Sequence, residues 1–518
     1  MYGSPSATFA FFACSFLLFF NDYISIAKAE DKNTYLSKRR SLLQEEWKIT
    51  TGGGVVLNAD ELKVNSILMK WKAAEMSEAA KPKGFFPPAY NFMTVKAKIE
   101  ESDVFRFIKK MPKGAALHIH DTSMASPHWL IRNVTYRPDC YMCIDKTGQL
   151  LFRLTKSQPV SSQCKWDTVN QYRSRSGNSS LFDAYLYGNL TIFTDHPAKA
   201  YRSQYEVWHQ FGSAFQAVEG LVFNTEIFGA YFEQALTELY ADNVQYVETR
   251  ALLGPVVDLN GAVQTKDWAV TVYNEVQHKF SKQHPAFFGA KSIYITQRSK
   301  DLVSMMSDVK EAIRLREKFP DSVVGFDLVG MEDQGPTLEY FLDALLYPSQ
   351  NGIKLPYFFH AGETDWEGMS VDANILDALL LNTSRIGHGY AIMKHPHIRK
   401  LLRERDIAIE VNPISNQVLM LVDDLRNHPA APLMAEGFPL VISSDDPAMW
   451  GSTGISHDFY EAFMGLGGAW ANLATLKKLA SDSIRYSATG QTEKAALYKL
   501  WQKAWDVFIK DMLRQHWP

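Results

Sequence analysis

Two histidines one residue apart, His118 and His120, close the stretch Gly114-Ala115-Ala116-Leu117-His118-Ile119-His120-Asp121. In a strand, side chains at i and i+2 point to the same face, so both imidazoles can reach one point in space. Three other strand-like runs also end in polar groups: Tyr357-Phe358-Phe359 in His360-Ala361-Gly362-Glu363, Arg385-Ile386 in Gly387-His388-Gly389, and Leu440-Val441-Ile442 in Ser443-Ser444-Asp445-Asp446-Pro447. Three imidazoles and one carboxylate, His118, His120, His360 and Asp445, can hold a zinc ion and leave a place for water. Zinc held in this way brings the pKa of a water to about 7. Glu363 and His388 then remain as acid/base groups, with Asp446 a free carboxylate.

Each signal has a purely structural reading. Glu363 can serve the positive end of a following helix, His388 can be a loop histidine, and Asp445-Asp446-Pro447 can cap a helix that starts with proline. Polar groups at the ends of four separate apolar strands make coincidence a poor account of the set. Residues 323–330 contain no lysine of the kind that bridges two metals in barrel hydrolases, which argues for one ion. His395-Pro396-His397 repeats the spacing within a charged stretch and reads as a surface pair. Cys140-x-x-Cys143 has no second CxxC and no His-x-Glu partner, so it is not read as a zinc motif.

The elements that must position these groups alternate. Strands are expected at 114–120, 244–250, 291–295, 323–330, 357–360, 385–389, 407–411 and 440–446, with helices between most of them. Eight parallel strands with crossover helices imply an α/β fold, a (β/α)8 TIM barrel, whose chemistry collects where the strands end. An amino-terminal helical extension covers residues 30–105, and the barrel runs over 106–518. An insertion after strand 1, residues 127–190, holds Cys140, Cys143 and Cys164 and interrupts the alternation.

The bulk properties are those of a globular protein: 518 residues, 46% apolar and 21% charged. A net charge of −3 gives no reason to expect nucleic acid as a partner. Residues 7–20 form an apolar run of signal-peptide length, followed by Ala27-Lys28-Ala29. Residues 1–29 are therefore read as a signal peptide, the chain as secreted, and no membrane span is expected. Cys14 leaves with that segment, so three cysteines remain in an oxidising compartment. A 140–143 bridge closes only a tight loop, so loop-closure reasoning pairs Cys140 with Cys164 and leaves Cys143 free. Sequons at Asn133, Asn178, Asn189 and Asn382 are expected glycan sites.

The segments MPKGAALHIHD, FDLVGMED, FFHAGETDW, RIGHGYAI, EVNPISN and SSDDPAMW resemble the adenosine deaminase superfamily. With the leader, the helical extension and the cysteine-bearing insertion, the chain resembles the secreted adenosine deaminase-related growth factors, the adenosine deaminase-2-type enzymes. The resemblance implies zinc on His118, His120, His360 and Asp445, and hydrolytic deamination of adenosine or 2′-deoxyadenosine to inosine-type products and ammonia. It implies that Glu363 protonates purine N1, that His388 orients and deprotonates the attacking water, and that Asp446 holds that water and the purine. Gly330 matches a backbone contact to the purine, and Asp121 and Trp208 match positions near the ribose. Gln297 stands where some members have histidine. The resemblance also implies a homodimer formed through the helical segment and an insertion that binds a cell-surface receptor. A growth-factor ligand using the barrel only as a scaffold is the alternative, and it would tolerate lost ligands.

Overall fold

The computed structural model describes residues 31–162 and 164–514. The signal peptide expected on residues 1–29, with Cys14, falls outside the described residues. Eleven strands are named here in chain order: β1 (Gly114–His120), β2 (Cys140–Ile144), β3 (Leu150–Leu154), β4 (Asp167–Thr168), β5 (Val244–Ala251), β6 (Gly289–Gln297), β7 (Val323–Val329), β8 (His360–Ala361), β9 (Arg385–His388), β10 (Ala408–Val411) and β11 (Leu440–Ile442). β1-β5-β6-β7 and β8-β9-β10-β11 form two parallel four-stranded sheets. Two parallel bridges, Phe326 with Tyr357 and Ile119 with Asp445, join the sheets into the expected eight-stranded barrel. The second seam matters for chemistry. Asp445 N–H donates to the His118 carbonyl at 3.1 Å, and His120 N–H donates to the Asp445 carbonyl at 3.0 Å. Backbone closure thus brings the first strand end and the last to one place.

The helix Lys32–Ile49 is a unit by itself and buries no residue. The barrel unit begins at Thr50. In its first helix, Ala59–Ala79, the Asn58 side chain accepts from the Asp60 and Glu61 N–H groups, and the Glu61 carboxylate accepts the Asn58 N–H at 2.8 Å. This reciprocal cap satisfies donors that a helix start leaves open. Glu61 also pairs with Lys477 at 2.5 Å and accepts from Trp505 Nε1 at 2.7 Å, so the cap ties the helix to the barrel's carboxyl-terminal helices. Residues 50–105 therefore pack on the barrel. Among the described residues no helix is long and apolar enough to cross a membrane.

The insertion is a three-stranded antiparallel sheet, β3-β2-β4, followed by helices. It corrects the expected bridge: Cys143 pairs with Cys164 (Cα–Cα 5.9 Å), and Cys140 is the free, buried thiol. Strand alternation explains the choice. Cys140 and Met142 share the face turned into the hydrophobic core, and Cys143, three residues on, lies on the other. Loop closure could not separate the two pairings, because its cost hardly changes between loops of such similar length. The sequons at Asn133, Asn178 and Asn382 are exposed, and Asn189 is half-buried.

Candidate active site

All four polar strand ends meet at the carboxyl end of the barrel. Four imidazoles cluster there, with ring centroids 4.5 Å apart for His118 and His360, 5.4 Å for His118 and His120, and 5.2 Å for His360 and His388. Asp445 stands among them: its Oδ1 lies 3.2 Å from His118 Nε2 and 3.0 Å from His120 Nε2, and its Oδ2 lies 3.7 Å from His388 Nε2. His388 and Asp445 both hold left-handed backbone conformations, φ 59° and 57°. Non-glycine residues adopt these at a cost, and such strain collects at functional sites. Gly387 provides the close packing this needs. A Cβ there would lie 3.0 Å from His118 Cε1 and 3.2 Å from His360 Cα.

Below the histidines lies a layer of buried charge. Glu410 Oε2 sits 2.7 Å from His118 Nδ1, and Asp327 Oδ2 sits 2.7 Å from His360 Nδ1. Each carboxylate fixes one ring nitrogen and leaves Nε2 to face the site, the usual arrangement behind a metal-binding histidine. Arg250 pairs with Glu410 at 2.5 Å and Asp327 at 3.3 Å, and Arg385 pairs with Glu410 at 2.6 Å and Glu248 at 2.7 Å. Glu332 holds the turn after β8: it accepts from the Gly362 and Glu363 N–H groups at 2.9 and 2.7 Å and from the Asn374 amide at 2.6 Å. On the far side, Ala430 N–H donates to His428 Nδ1, so His428 presents its Nε2–H to Asn416 Oδ1 at 2.9 Å. The Asn416 amide then donates to His388 Nδ1 at 3.0 Å.

Burial and charge divide the titrating groups. Burial, reinforced by Asp445, holds the Glu363 carboxyl well above the usual range, so it carries a proton. Burial and Asp445 likewise raise Asp446, whose Oδ1 accepts from the Ser123 hydroxyl. Burial opposes ionisation of Asp445 too, but His388 and the close His118 and His120 rings outweigh it and hold this group low. Burial lowers His388 well below the usual value and His360 to about 4, the latter against the pull of Asp327. Both rings are neutral at pH 7 and fit for coordination or hydrogen bonding.

The donor set fits a divalent metal. His118 Nε2 and Asp445 Oδ1 are buried without a hydrogen-bond partner of proper geometry. One ligand atom from each of His118, His360, His388 and Asp445 lies within 4.8 Å of the others, as do those of His120, Asp445 and Asp446. The expected ligands His118, His120, His360 and Asp445 come from both groups, which meet at Asp445.

A cavity of about 530 Å³ opens above the cluster. It brings together the site residues expected from the sequence: His120, Asp121, Trp208, Gln297, Gly330, His360, Glu363, His388, Asp445 and Asp446 all line it. Asp121 Oδ2 accepts from Leu252 N–H and from the Tyr273 hydroxyl, each at 3.1 Å. Among the described residues no Lys or Arg lines it. A larger cavity, about 1340 Å³, opens at the other end of the barrel beside Val324 and Arg385 and holds none of the histidines. His395 pairs with Asp372 at 2.9 Å and takes no part in the site. Sequence reasoning missed Arg250, Asp327, Glu332, Arg385 and Glu410. Most carried a usable signal, a charge within or beside an apolar strand.

A parallel eight-stranded barrel that gathers buried histidines and carboxylates at its strand ends defines a metal-dependent hydrolase of the barrel type. Comparison with known proteins narrows the class. The adenosine deaminase family model matches residues 194–504, and the adenosine/AMP deaminase N-terminal model matches residues 14–108. Adenosine deaminase 2 of Pongo abelii is 50% identical over 92% of this chain and 93% of its own length. Among solved structures, Arabidopsis ADAL complexed with GMP superposes with a TM-score of 0.53 at 19% identity, covering 77% of this chain and 98% of that one. An amidohydrolase from Burkhoderia ambifaria with bound Zn gives 0.50 at 18% identity, covering 80% and 95%. These structural likenesses bear on the fold alone. The chain belongs to the adenosine deaminase family, as an adenosine deaminase-2-type member of the adenosine/AMP deaminase superfamily.

Proposed function

We propose that this enzyme hydrolyses the 6-amino group of adenosine and 2′-deoxyadenosine, giving inosine or 2′-deoxyinosine and ammonia, with one zinc ion per subunit. The observation that carries the reading is the burial of His120, His360, His388, Glu363, Asp445 and Asp446 on the wall of a single cavity, with His118 buried against His360. His118, His120, His360 and Asp445 would hold the zinc, which when bound makes a water nucleophilic at neutral pH. Glu363, kept protonated, donates to purine N1 and makes C6 electrophilic. His388, a neutral ring beside Asp445, orients the attacking water and takes the proton it gives up. Asp446 holds the water and the purine. The water oxygen bonds to C6 and the C6–N6 bond breaks. One water proton leaves on ammonia and the other restores Glu363. Gly330, Gln297, Trp208 and Asp121 line the rest of the cavity, the first beside the purine and the last two beside the ribose.

A lining without Lys or Arg favours nucleosides over nucleotides, whose phosphate calls for a cation. The leader-like amino terminus, the disulfide and the exposed sequons support a secreted glycoprotein. The helical residues 30–105 are proposed as the homodimer contact, and the insertion 127–190 as a receptor-binding module with growth-factor activity. A barrel serving only as a scaffold would have no need of so complete a buried site. The test is loss of adenosine absorbance in the ultraviolet by purified protein, with AMP and 2′-deoxyadenosine alongside. Turnover of adenosine that stops on zinc removal and returns on zinc addition is expected. Absence of turnover by the zinc-loaded protein would return the scaffold reading.

A further inference from the structure

The helix Gln204–Val222 turns one stripe toward the cavity, carrying Trp208, Gly212 and Glu219. These are four and seven residues apart, so they lie on one helix face. Glu219 stands out because nothing holds it. Its carboxylate has no hydrogen-bond or ion-pair partner among the described residues, and its one charged neighbour is Asp121, another acid. Burial and Asp121 push it up to about 7. Asp121 is different: it is braced by Leu252 and Tyr273. An acid half-buried on a cavity wall without a partner is costly unless something else supplies the donors.

Gly212 adds a second observation. Glycine weakens a helix interior, and no packing requires one here, since an added Cβ would meet nothing within 4 Å. Gly212 lines the same cavity. Glu363, Asp445 and Asp446 influence one another at the metal end, whereas the one acid that acts on Glu219 is Asp121. In a purine the reacting C6 and the sugar-bearing N9 lie at opposite ends. With C6 at the metal end, the sugar falls toward the wall that carries Glu219.

We propose that Glu219 is a specificity-determining residue: its unpartnered carboxylate accepts a hydrogen bond from a sugar hydroxyl and turns away anionic sugar substituents, while Gly212 leaves room for the sugar. The enzyme then takes nucleosides with a neutral or cationic sugar and rejects 5′-phosphorylated ones. This rests on the deaminase reading given above.

The experiment is steady-state deamination by the full zinc-loaded chain and its Glu219→Gln variant. The substrates are adenosine, its 2′-, 3′- and 5′-deoxy analogues, 5′-amino-5′-deoxyadenosine and AMP. A hydrogen bond to a charged group implies that kcat/KM for adenosine falls about tenfold or more, mainly through KM. The preference for the 5′-amino compound over AMP should shrink by a similar factor. One deoxy analogue, penalised by the parent enzyme, should lose its penalty in the variant, which identifies the hydroxyl. Zinc content and melting temperature serve as folding checks, and Glu219→Asp, which withdraws the charge by one methylene, replaces the first variant if that one misfolds. Unchanged ratios across all substrates would overturn the role of Glu219 and leave the deaminase reading intact. A parent enzyme that ignores adenosine would overturn both.

Discussion

Glu410 gives the sharpest test of how the buried charges support the site. One carboxylate meets Arg250 at 2.5 Å, Arg385 at 2.6 Å and His118 Nδ1 at 2.7 Å, all fully buried. Burial opposes its ionisation, but Arg250 and Arg385 outweigh that and hold it well below the usual range. Glu410→Gln keeps the volume and removes the charge. Arg250 is then left with Asp327 alone and Arg385 with Glu248 alone. Breaking one partner out of a buried pair costs about 3–5 kcal/mol. Unfolding entropy near 2.1 cal/mol/K per residue over the roughly 480 described residues comes to about 1 kcal/mol/K. The expected fall in Tm is therefore about 3–5 °C in scanning calorimetry of the metal-free protein. The same change frees the His118 ring, and loss of such a supporting carboxylate weakens metal binding about 10- to 100-fold. Chelator competition measures that separately. A variant that melts within a degree of the parent and binds zinc equally would refute the claim that Glu410 braces both the barrel and the ligand.

Three further outcomes are expected. Asp445→Ala should lose zinc and activity together, whereas Glu363→Gln should keep zinc and bind nucleoside while turnover falls about 10²- to 10⁴-fold; metal analysis with kinetics separates them. Cys143→Ser should remove the bridge and about 3 kcal/mol of stability by the chain-entropy model, whereas Cys140→Ser should leave the bridge intact in non-reducing peptide maps. Burial alone would raise Asp327, but His360 and Arg250 hold it at about 2. A folded pKa below the unfolded one stabilises above the unfolded pKa, near 3.9, and that share is lost as pH falls toward 2; acid unfolding of metal-free Asp327→Asn should lack this portion of the pH dependence.

The barrel and its catalytic end were legible because the signals are local: apolar strands, each followed by a polar group that alternation places on one face. His118 and His120 needed only strand geometry to be paired, and Asp445 and Asp446 needed only the strand before them. What stayed hidden depends on closure. Arg250, Asp327, Arg385 and Glu410 each showed as a charge within or beside an apolar run, but which charge answers which is settled by strands up to 160 residues apart in sequence. Glu332 lay in a recognised segment, yet its work, holding the backbone of Gly362 and Glu363, belongs to a turn 30 residues further on. The disulfide failed for a related reason. Loop length does not decide the pairing; strand face does, and face follows from register in β2, which the sequence around Cys140 leaves open. Glu219 lies between these cases. Helical spacing places it with Trp208, but its meaning depends on the absence of any partner, and that appears only once every neighbouring element is in position.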